Sequence, residues 1–180
     1  DNIYALIHPD TTPIDSPYKF LAGVGLAYII ALKISEKFQN KQIISNSLDF
    51  FSIGTIADMT LLQGANRFWL RKALPNLSKT KCKGLKKIQI TSGINNNYIS
   101  STDIAFKIAP RINSIGRISN PSIIIKLLLE DNNKKIEKLS DYCENINIKR
   151  RYMCQETEKE ALSLIGNDIL NNRNFILLYK

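Results

Sequence analysis

The sequence is poor in the side chains that most often build metal sites and nucleophilic active sites. It has a single histidine, His8, and three cysteines, Cys82, Cys143 and Cys154, whose spacing is not that of a metal-binding motif. One histidine supplies neither a histidine-based metal site nor a Ser-His-Asp triad, and three cysteines do not make a disulfide framework. Any chemistry in this chain therefore has to depend on carboxylates, arginines and hydroxyl groups.

Long apolar runs are also missing. No uninterrupted apolar stretch reaches the roughly eighteen residues that a spanning helix needs, so the sequence predicts no membrane partner. The chain begins with Asp1 and ends with a run of apolar residues at 175–179 followed by Lys180. These ends suggest a segment of a longer polypeptide. We expect that polypeptide in the cytoplasm, or in an organellar stroma or matrix if an organelle encodes it.

Positive charge is concentrated in the middle of the chain. The formal net charge is +9, from 25 Lys and Arg against 16 Asp and Glu. Residues 63–126 hold 12 of the basic residues and a single acidic one, Asp103. Such a block favours a polyanionic partner, because each phosphate that it neutralises releases condensed counterions. A solvated basic face without a partner is the alternative that composition leaves open.

The hydrophobic pattern predicts a predominantly α-helical segment. Ser16-Pro17 is typical of a helix start, with Ser as the N-cap and Pro at the first position. A Ser-x-x-Asp capping box at 100–103 predicts another start, and Pro110 should end or kink the helix that follows it. We expect helices over 17–38, 48–62, 65–77, 101–109 and 121–129.

A long helix is predicted near the end of the chain. From 134 to 165, apolar residues recur at steps of three and four, which predicts one helix of about 32 residues. Its mixed charge is typical of a strut between domains, with a coiled-coil arm as the alternative. Beyond Gly166, residues 174–179 have the pattern of a terminal β-strand, which we expect to open a further domain.

Asp58 is the first candidate functional residue. It is the only charged residue between Phe50 and Leu62. An ionised carboxylate is costly to bury in such apolar surroundings unless it is paired or bound to a metal, so the sequence predicts a cation beside it. The alternative is that Asp58 caps or turns the chain after Ala57.

A second candidate site lies in the motif IAPRINSIGR at 108–117. Arg111 and Arg117 flank Asn113 and Gly116. Guanidinium forks suit phosphate oxygens and glycine permits a close approach of the backbone, so the motif has the makings of a phosphate-binding loop. The alternative is an ordinary loop whose arginines pair with carboxylates or backbone carbonyls. Asn66-Arg67 adds a third polar group soon after Asp58.

Few aromatic side chains accompany the basic block. The candidates for stacking on nucleic-acid bases are Phe68, Trp69, Tyr98 and Phe106. We expect Phe106 to pack in the core because of its place in a helix.

Together these motifs resemble the central blocks of RecJ-type single-stranded-DNA-specific exonucleases, in the DHH phosphoesterase superfamily. The blocks are GTIADMTLL at 54–62, ANR at 65–67 and STDIAFKIAPRINSIGR at 101–117, supported by YKFLAGVGLAY at 18–28 and RR at 150–151. The resemblance implies an α/β parent fold with a DHH domain and a DHHA1 domain. Residues 1–130 would then be the C-terminal part of the DHH domain, 131–166 the interdomain helix and 167–180 the first strand of DHHA1.

The resemblance also implies roles for individual residues. Asp58 would be the catalytic aspartate that ligates a pair of Mn²⁺ or Mg²⁺ ions, with the other ligands outside this segment. Arg111, Arg117, Asn113 and Arg67 would bind substrate phosphates. Thr60-Leu61 in place of the usual Val-Pro, and Ala65 in place of the usual Glu, depart from the family pattern without touching the metal carboxylate.

The implied function is that of a metal-dependent 5′-to-3′ exonuclease on single-stranded DNA, acting in recombination and repair without a small-molecule cofactor. The alternatives are another DHH phosphodiesterase, acting on short oligonucleotides or cyclic dinucleotides, and a noncatalytic nucleic-acid-binding fragment. The sequence makes no prediction of the oligomeric state.

Overall fold

The computed structural model describes residues 5–95, 97–170 and 177–178, and helices dominate them. No strand occurs among these residues, which confirms the predominantly helical prediction. The predicted strand at 174–179 lies outside the described residues apart from Leu177 and Leu178, which have no regular structure. In chain order the helices are α1 (Gly23–Phe38), α2 (Lys41–Ala57), α3 (Gly64–Ala73), α4 (Lys83–Thr91), α5 (Ser101–Asp103), α6 (Ala109–Ile118), α7 (Ser122–Leu129) and α8 (Asn133–Leu170).

Helix α1 begins later than the sequence predicts. Residues 17–20 form a turn, in which the N–H of Lys19 donates to the carbonyl of Ser16 at 3.1 Å, and the helix begins only at Gly23. A Ser-Pro pair fits a turn as well as a helix start, because proline presets the same φ in both. The predicted boundaries of the second helix were also wrong, since α2 starts at Lys41 and ends at Ala57.

The core joins two helical layers. Helix α1 packs on α2, while α4, α6 and α7 pack on the first half of α8. Apolar side chains from these helices are almost fully buried, among them Phe51, Leu85, Ile108, Ile115 and Leu127. Helix α2 also contacts α3 and the segment before α6, so that the end of α2 lies against both candidate motifs.

The segment around Pro110 is helical throughout. Ser100 and Asp103 form the predicted capping box. A π-helical segment, Ile104–Ile108, follows and leads into α6. Pro110 lies in the first turn of α6, where the missing N–H of a proline leaves no hydrogen bond of that helix unmade. The prediction that Pro110 ends the helix was therefore wrong, as was the loop over 108–117. The predicted kink stays a prediction.

Helix α8 has two contrasting halves. Ile136, Cys143 and Asn147 are buried against the rest of the chain, whereas every residue from 151 to 160 is exposed. The helix continues past Gly166 to Leu170, because one interior glycine costs only about 1 kcal/mol and does not by itself end a helix. None of the helices in the described ranges is both long and apolar enough to cross a membrane.

Candidate functional site

Asp58 lies in the turn that ends helix α2. Its N–H still donates to the carbonyl of Gly54 at 2.9 Å, and Met59 then adopts a left-handed conformation with φ of 51°. The turn carries the Asp58 side chain to the surface, so the prediction of a buried carboxylate was wrong. The residue of α2 that does bury its carboxylate is Asp49, which is 8% exposed and whose pKa is raised by burial.

The Asp58 carboxylate is unpaired in the part of the chain that the structure describes. Its position at the C-terminus of α2 is unfavourable, because the carbonyl ends of a helix repel a negative charge. The alternative role as a turn cap gains no support either, since no hydrogen bond from a described residue reaches the carboxylate. An exposed, uncompensated carboxylate at this position is free to ligate a cation.

The chain after Asp58 is held by a buried amide. The Nδ2 group of Asn66, a residue only 1% exposed, donates to the carbonyl of Leu61 at 2.9 Å and to that of Phe20 at 2.7 Å. Thr60 Oγ1 donates to the carbonyl of Thr55 at 3.1 Å. Asn66 therefore fixes the turn that presents Asp58, which is a structural role.

A cavity of about 210 Å³ opens beside this turn. Its walls come from the end of α2, the π-helical segment, α6 and α8, and are formed by Ile56, Ala57, Met59, Ala105, Phe106, Ala109, Pro110, Asn113, Arg117 and Arg150. The structure thus brings Asn113 and Arg117 together in one cavity. Ala57 and Met59, the residues before and after Asp58, line the same cavity. Three side chains with N–H donors, those of Asn113, Arg117 and Arg150, face one cavity, which we call the Arg150 cavity.

Arg150 lines the cavity but is not among the phosphate-binding residues predicted from the sequence. It is half-buried, its Nη2 donates to Asn147 Oδ1 at 3.4 Å, and its Nε is buried without an acceptor from any described residue. An unsatisfied buried donor costs about 1–3 kcal/mol, so Arg150 is held here at an energetic cost. The sequence did contain a signal, since Arg150 occupies a position on the apolar face of α8 where a charge is unexpected.

Arg111 lies at a different contact between α6 and α8. Its Nε and Nη2 both donate to Glu144, the latter at 3.2 Å. Its Nη1 donates to the carbonyl of Lys107 at 2.7 Å, and Nη2 also reaches the carbonyl of Thr91 at 3.4 Å. These bonds use four of the five N–H donors of a guanidinium, and they match the alternative in which the arginine pairs with a carboxylate and carbonyls. Its predicted phosphate contact stays a prediction.

Arg67 is not part of the Arg150 cavity. It is exposed on α3, where it lines a separate cavity of about 460 Å³ with Gly64, Phe68, Arg71 and Lys72. The structure therefore brings together two of the four predicted phosphate-binding residues, Asn113 and Arg117, and separates Arg67 and Arg111 from them.

The aromatic candidates for base stacking occupy different environments. Trp69 packs in a cluster with Tyr28 and Phe51, at ring-centroid distances of 4.9 and 5.3 Å. Phe106 is 77% exposed, so its predicted burial was wrong. Ile104 and Ile108, on either side of it in the π-helical segment, take the buried face and leave Phe106 to point outward.

The described residues do not by themselves build a two-metal centre. Within the ranges that the structure covers, no three His, Cys, Asp or Glu side chains converge closely enough to hold a metal ion. Asp58 is suited to supply one carboxylate ligand, and a two-metal site needs several more.

No protein-family model matches the chain, but curated proteins do. It is 29% identical over 176 residues to the single-stranded-DNA-specific exonuclease RecJ of Bacillus subtilis, an alignment that covers 98% of this chain and 22% of that protein. It is 28% identical over 171 residues to the Escherichia coli protein of the same name, covering 89% of this chain and 30% of the relative. The chain thus spans less than a third of the curated relatives it matches.

Solved structures give the same result for the fold. The crystal structure of exonuclease RecJ bound to manganese has a TM-score of 0.77 at 24% identity, covering 89% of this chain and 40% of that one. RecJ from Thermus thermophilus in complex with Mn²⁺ has a TM-score of 0.75 at 26% identity, covering 87% and 23%. The resemblance that the motifs predicted is therefore confirmed, and the chain is similar to a segment of the RecJ-type exonucleases.

Proposed function

We propose that the chain is a segment of a metal-dependent 5′-to-3′ exonuclease on single-stranded DNA, a hydrolase of the RecJ type. The observation that carries the proposal is the Arg150 cavity, in which Asn113, Arg117 and Arg150 converge beside the turn of Asp58. The similarity to RecJ exonucleases supports the same reaction.

Each polar group of the site has a distinct part in this proposal. Asp58 contributes one carboxylate to a pair of Mn²⁺ or Mg²⁺ ions, whose remaining ligands lie outside the described residues. When bound, such ions activate water and stabilise negative charge at the scissile phosphate. Arg117 and Arg150 hold a substrate phosphate through charge-assisted hydrogen bonds, and the Asn113 amide adds a neutral donor.

The apolar walls of the cavity strengthen these contacts. Ala105, Ala109 and Pro110 line the same space as the two guanidinium groups. Because little water fits between such walls and a bound phosphate, the electrostatic attraction acts in a lower effective dielectric than at the open surface.

The parent architecture and cellular role are part of the same proposal. Residues 1–130 belong to the C-terminal part of a DHH domain, 131–166 to a connecting helix, and 167–180 to the first strand of a DHHA1 domain. The full-length enzyme acts in recombination and repair, in the cytoplasm or in an organellar stroma or matrix.

The test uses the full-length polypeptide and a single-stranded oligonucleotide labelled at either end. We expect Mn²⁺-dependent release of nucleotides from the 5′ end, little cleavage of a blunt duplex, and no reaction with EDTA present. The Asp58→Asn variant should be inactive, whereas Asp141→Asn, which changes an exposed carboxylate of α8, should retain full activity. Cleavage confined to cyclic dinucleotides or to oligomers of a few nucleotides would overturn the proposal in favour of another DHH phosphodiesterase.

A further inference from the structure

The two faces of helix α3 differ sharply in composition. Ala65, Asn66, Leu70 and Ala73 are buried. The opposite face presents Arg67, Phe68, Arg71 and Lys72, all of them exposed, around the cavity of about 460 Å³ that also includes Gly64. We call these four residues the α3 face. They combine three cations with one aromatic ring and contain no acidic residue.

The cations of the α3 face are uncompensated. Among the residues that the structure describes, neither Arg67 nor Arg71 has an acidic partner, and Lys72 places its Nζ 4.1 Å from the centroid of the Phe68 ring. Two lysines of the neighbouring helix α4 differ, because Lys83 and Lys87 each pair with a carboxylate. The positive potential of the α3 face is therefore available to an anionic partner.

Phe68 distinguishes this face from an ordinary basic surface. Its side chain is 56% exposed. Isolated exposed aromatics are common, but this ring lies among three cations instead of at the edge of an apolar patch. An aromatic ring flanked by positive charge is the combination that binds an unpaired nucleic-acid strand, in which the ring stacks on a base and the cations contact the phosphates.

The α3 face is held rigidly from behind. Trp69, the next residue after Phe68, packs edge-on against Tyr28 and Phe51. At the start of the helix, Gly64 has φ of 48°, and a Cβ there would lie 2.6 Å from the carbonyl oxygen of Pro17. Because the backbone is fixed at these points, binding a ligand to the outer face costs little backbone conformational entropy.

We propose that the α3 face is a second docking surface for single-stranded nucleic acid, in which a base stacks on the face of the Phe68 ring that Lys72 leaves open and Arg67 and Arg71 contact the adjacent phosphates. The identity of the strand rests on the proposed function. Bases within a duplex are already stacked on both sides, so the surface selects an unpaired strand. In the chain, residues 59–63 alone separate Asp58 from α3.

The experiment compares two oligomers of equal length bound to the full-length protein, oligothymidylate and a fully abasic strand, by fluorescence anisotropy. Phe68→Ala should weaken oligothymidylate binding about tenfold, in line with the loss of one stacked base, and leave the abasic strand unaffected. Phe68→Trp should restore binding. Tyr152→Ala is the matched control, because Tyr152 is 61% exposed on α8 and lines neither cavity.

A charge substitution separates the phosphate contacts from stacking. Arg71→Gln should lower the slope of log affinity against log salt by about 0.7 for both oligomers, as the loss of one phosphate contact requires. Lys126→Gln, which removes an exposed lysine of the same basic block, should leave the slope unchanged.

Two results would overturn the inference. One is an equal loss on both oligomers for Phe68→Ala, because stacking would then contribute nothing. The other is unchanged binding of oligothymidylate by a Phe68→Ala protein that still degrades single-stranded DNA with Mn²⁺. That result would overturn the role of the α3 face and leave the proposed function intact. A wild-type protein that neither binds nor degrades single-stranded DNA would instead overturn the proposed function.

Discussion

Helices α6 and α8 meet at two contacts that contain arginine. The guanidinium groups differ in whether the chain supplies their hydrogen-bond acceptors. At the first, the guanidinium of Arg111 is closed off by Glu144 and two backbone carbonyls. At the second, Arg150 and Arg117 line a cavity to which the described residues contribute no carboxylate. An arginine that the chain supplies with its own acceptors stabilises the helix pair, and one left without acceptors remains available for a ligand.

The difference is also energetic. The side chains of Arg111 and Glu144 are 16% and 21% exposed, so each would be left nearly buried and uncompensated if its partner were removed. The buried Nε of Arg150 has no acceptor among the described residues, so no hydrogen bond at this atom stabilises the fold. We call the Arg111–Glu144 pair the closed contact and the pair of Arg117 and Arg150 at the Arg150 cavity the open contact. We expect substitutions at the closed contact to change stability and substitutions at the open contact to change activity.

The largest effect is expected for Asp58→Asn, beside the open contact. The substitution keeps the shape of the side chain and removes the charge that a divalent ion needs, so cleavage by the full-length enzyme should fall by about a thousandfold or more. The melting temperature without metal should hold or rise slightly, because an unpaired negative charge at the C-terminus of α2 is removed. Full activity combined with a loss of stability would show that Asp58 only shapes the turn.

Arg150→Ala should lower kcat/KM for single-stranded DNA by about tenfold to a hundredfold, as expected for the loss of a charge-assisted phosphate contact. Its free energy of unfolding should not decrease, since the variant lacks the unsatisfied donor. The matched control is Lys149→Ala, at an adjacent exposed cation that pairs with no carboxylate among the described residues. If Arg150→Ala retained its activity and unfolded more readily, the open contact would be structural.

Glu144→Ala should destabilise the protein by about 2 kcal/mol, because Arg111 would keep its place in the interface without its charged acceptor. The measurement is chemical denaturation of the variant and of Glu137→Ala, a more exposed carboxylate on the same helix. At temperatures where the variant remains folded, its cleavage rate should be close to that of the wild type. A stability change no larger than that of the control would remove the distinction between the two contacts.

The smallest effect concerns Asp103, in the capping box before the π-helical segment. The hydrogen bond from Lys107, with those from Ser100, lowers the pKa of Asp103 to about 2. A carboxyl group with a lowered pKa stabilises the fold above its unfolded pKa of about 3.9, and this contribution disappears as the pH falls toward 2. Asp103→Asn should therefore cost less than about 1 kcal/mol at pH 7, given solvent screening, and only a small fraction of that near pH 2. A cost that is the same at both pH values would contradict the ionic origin of the effect.

The sequence predicted the helices better than their ends. The capping box at Ser100 was identified because its two hydrogen bonds are local and depend on a fixed spacing. The start of α1 and the helical conformation around Pro110 were missed, since a Ser-Pro pair fits a turn equally well and the π-helical segment depends on packing between Ile104, Ile108 and the core.

The candidate site was predictable in part for a similar reason. Asn113 and Arg117 lie one helical turn apart on α6, so a local motif was enough to place them together. The exposure of Asp58 depends on the left-handed conformation of Met59, and the pairing of Arg111 with Glu144 joins residues 33 positions apart. A left-handed conformation is uncommon for a residue other than glycine, so the sequence does not indicate it at Met59. The pair of Arg111 and Glu144 arises only once α6 and α8 are packed together.

The most direct test of the account is the rate of single-stranded DNA cleavage, at subsaturating substrate, by the full-length Arg150→Lys and Arg111→Lys variants. Lysine keeps the charge and loses the planar fork, so the variants differ from the wild type mainly in directional hydrogen bonding. We expect a loss of about tenfold in kcat/KM for Arg150→Lys and a change within about twofold for Arg111→Lys. A larger loss in Arg111→Lys than in Arg150→Lys would contradict the account, because the closed contact would then be the one that holds substrate.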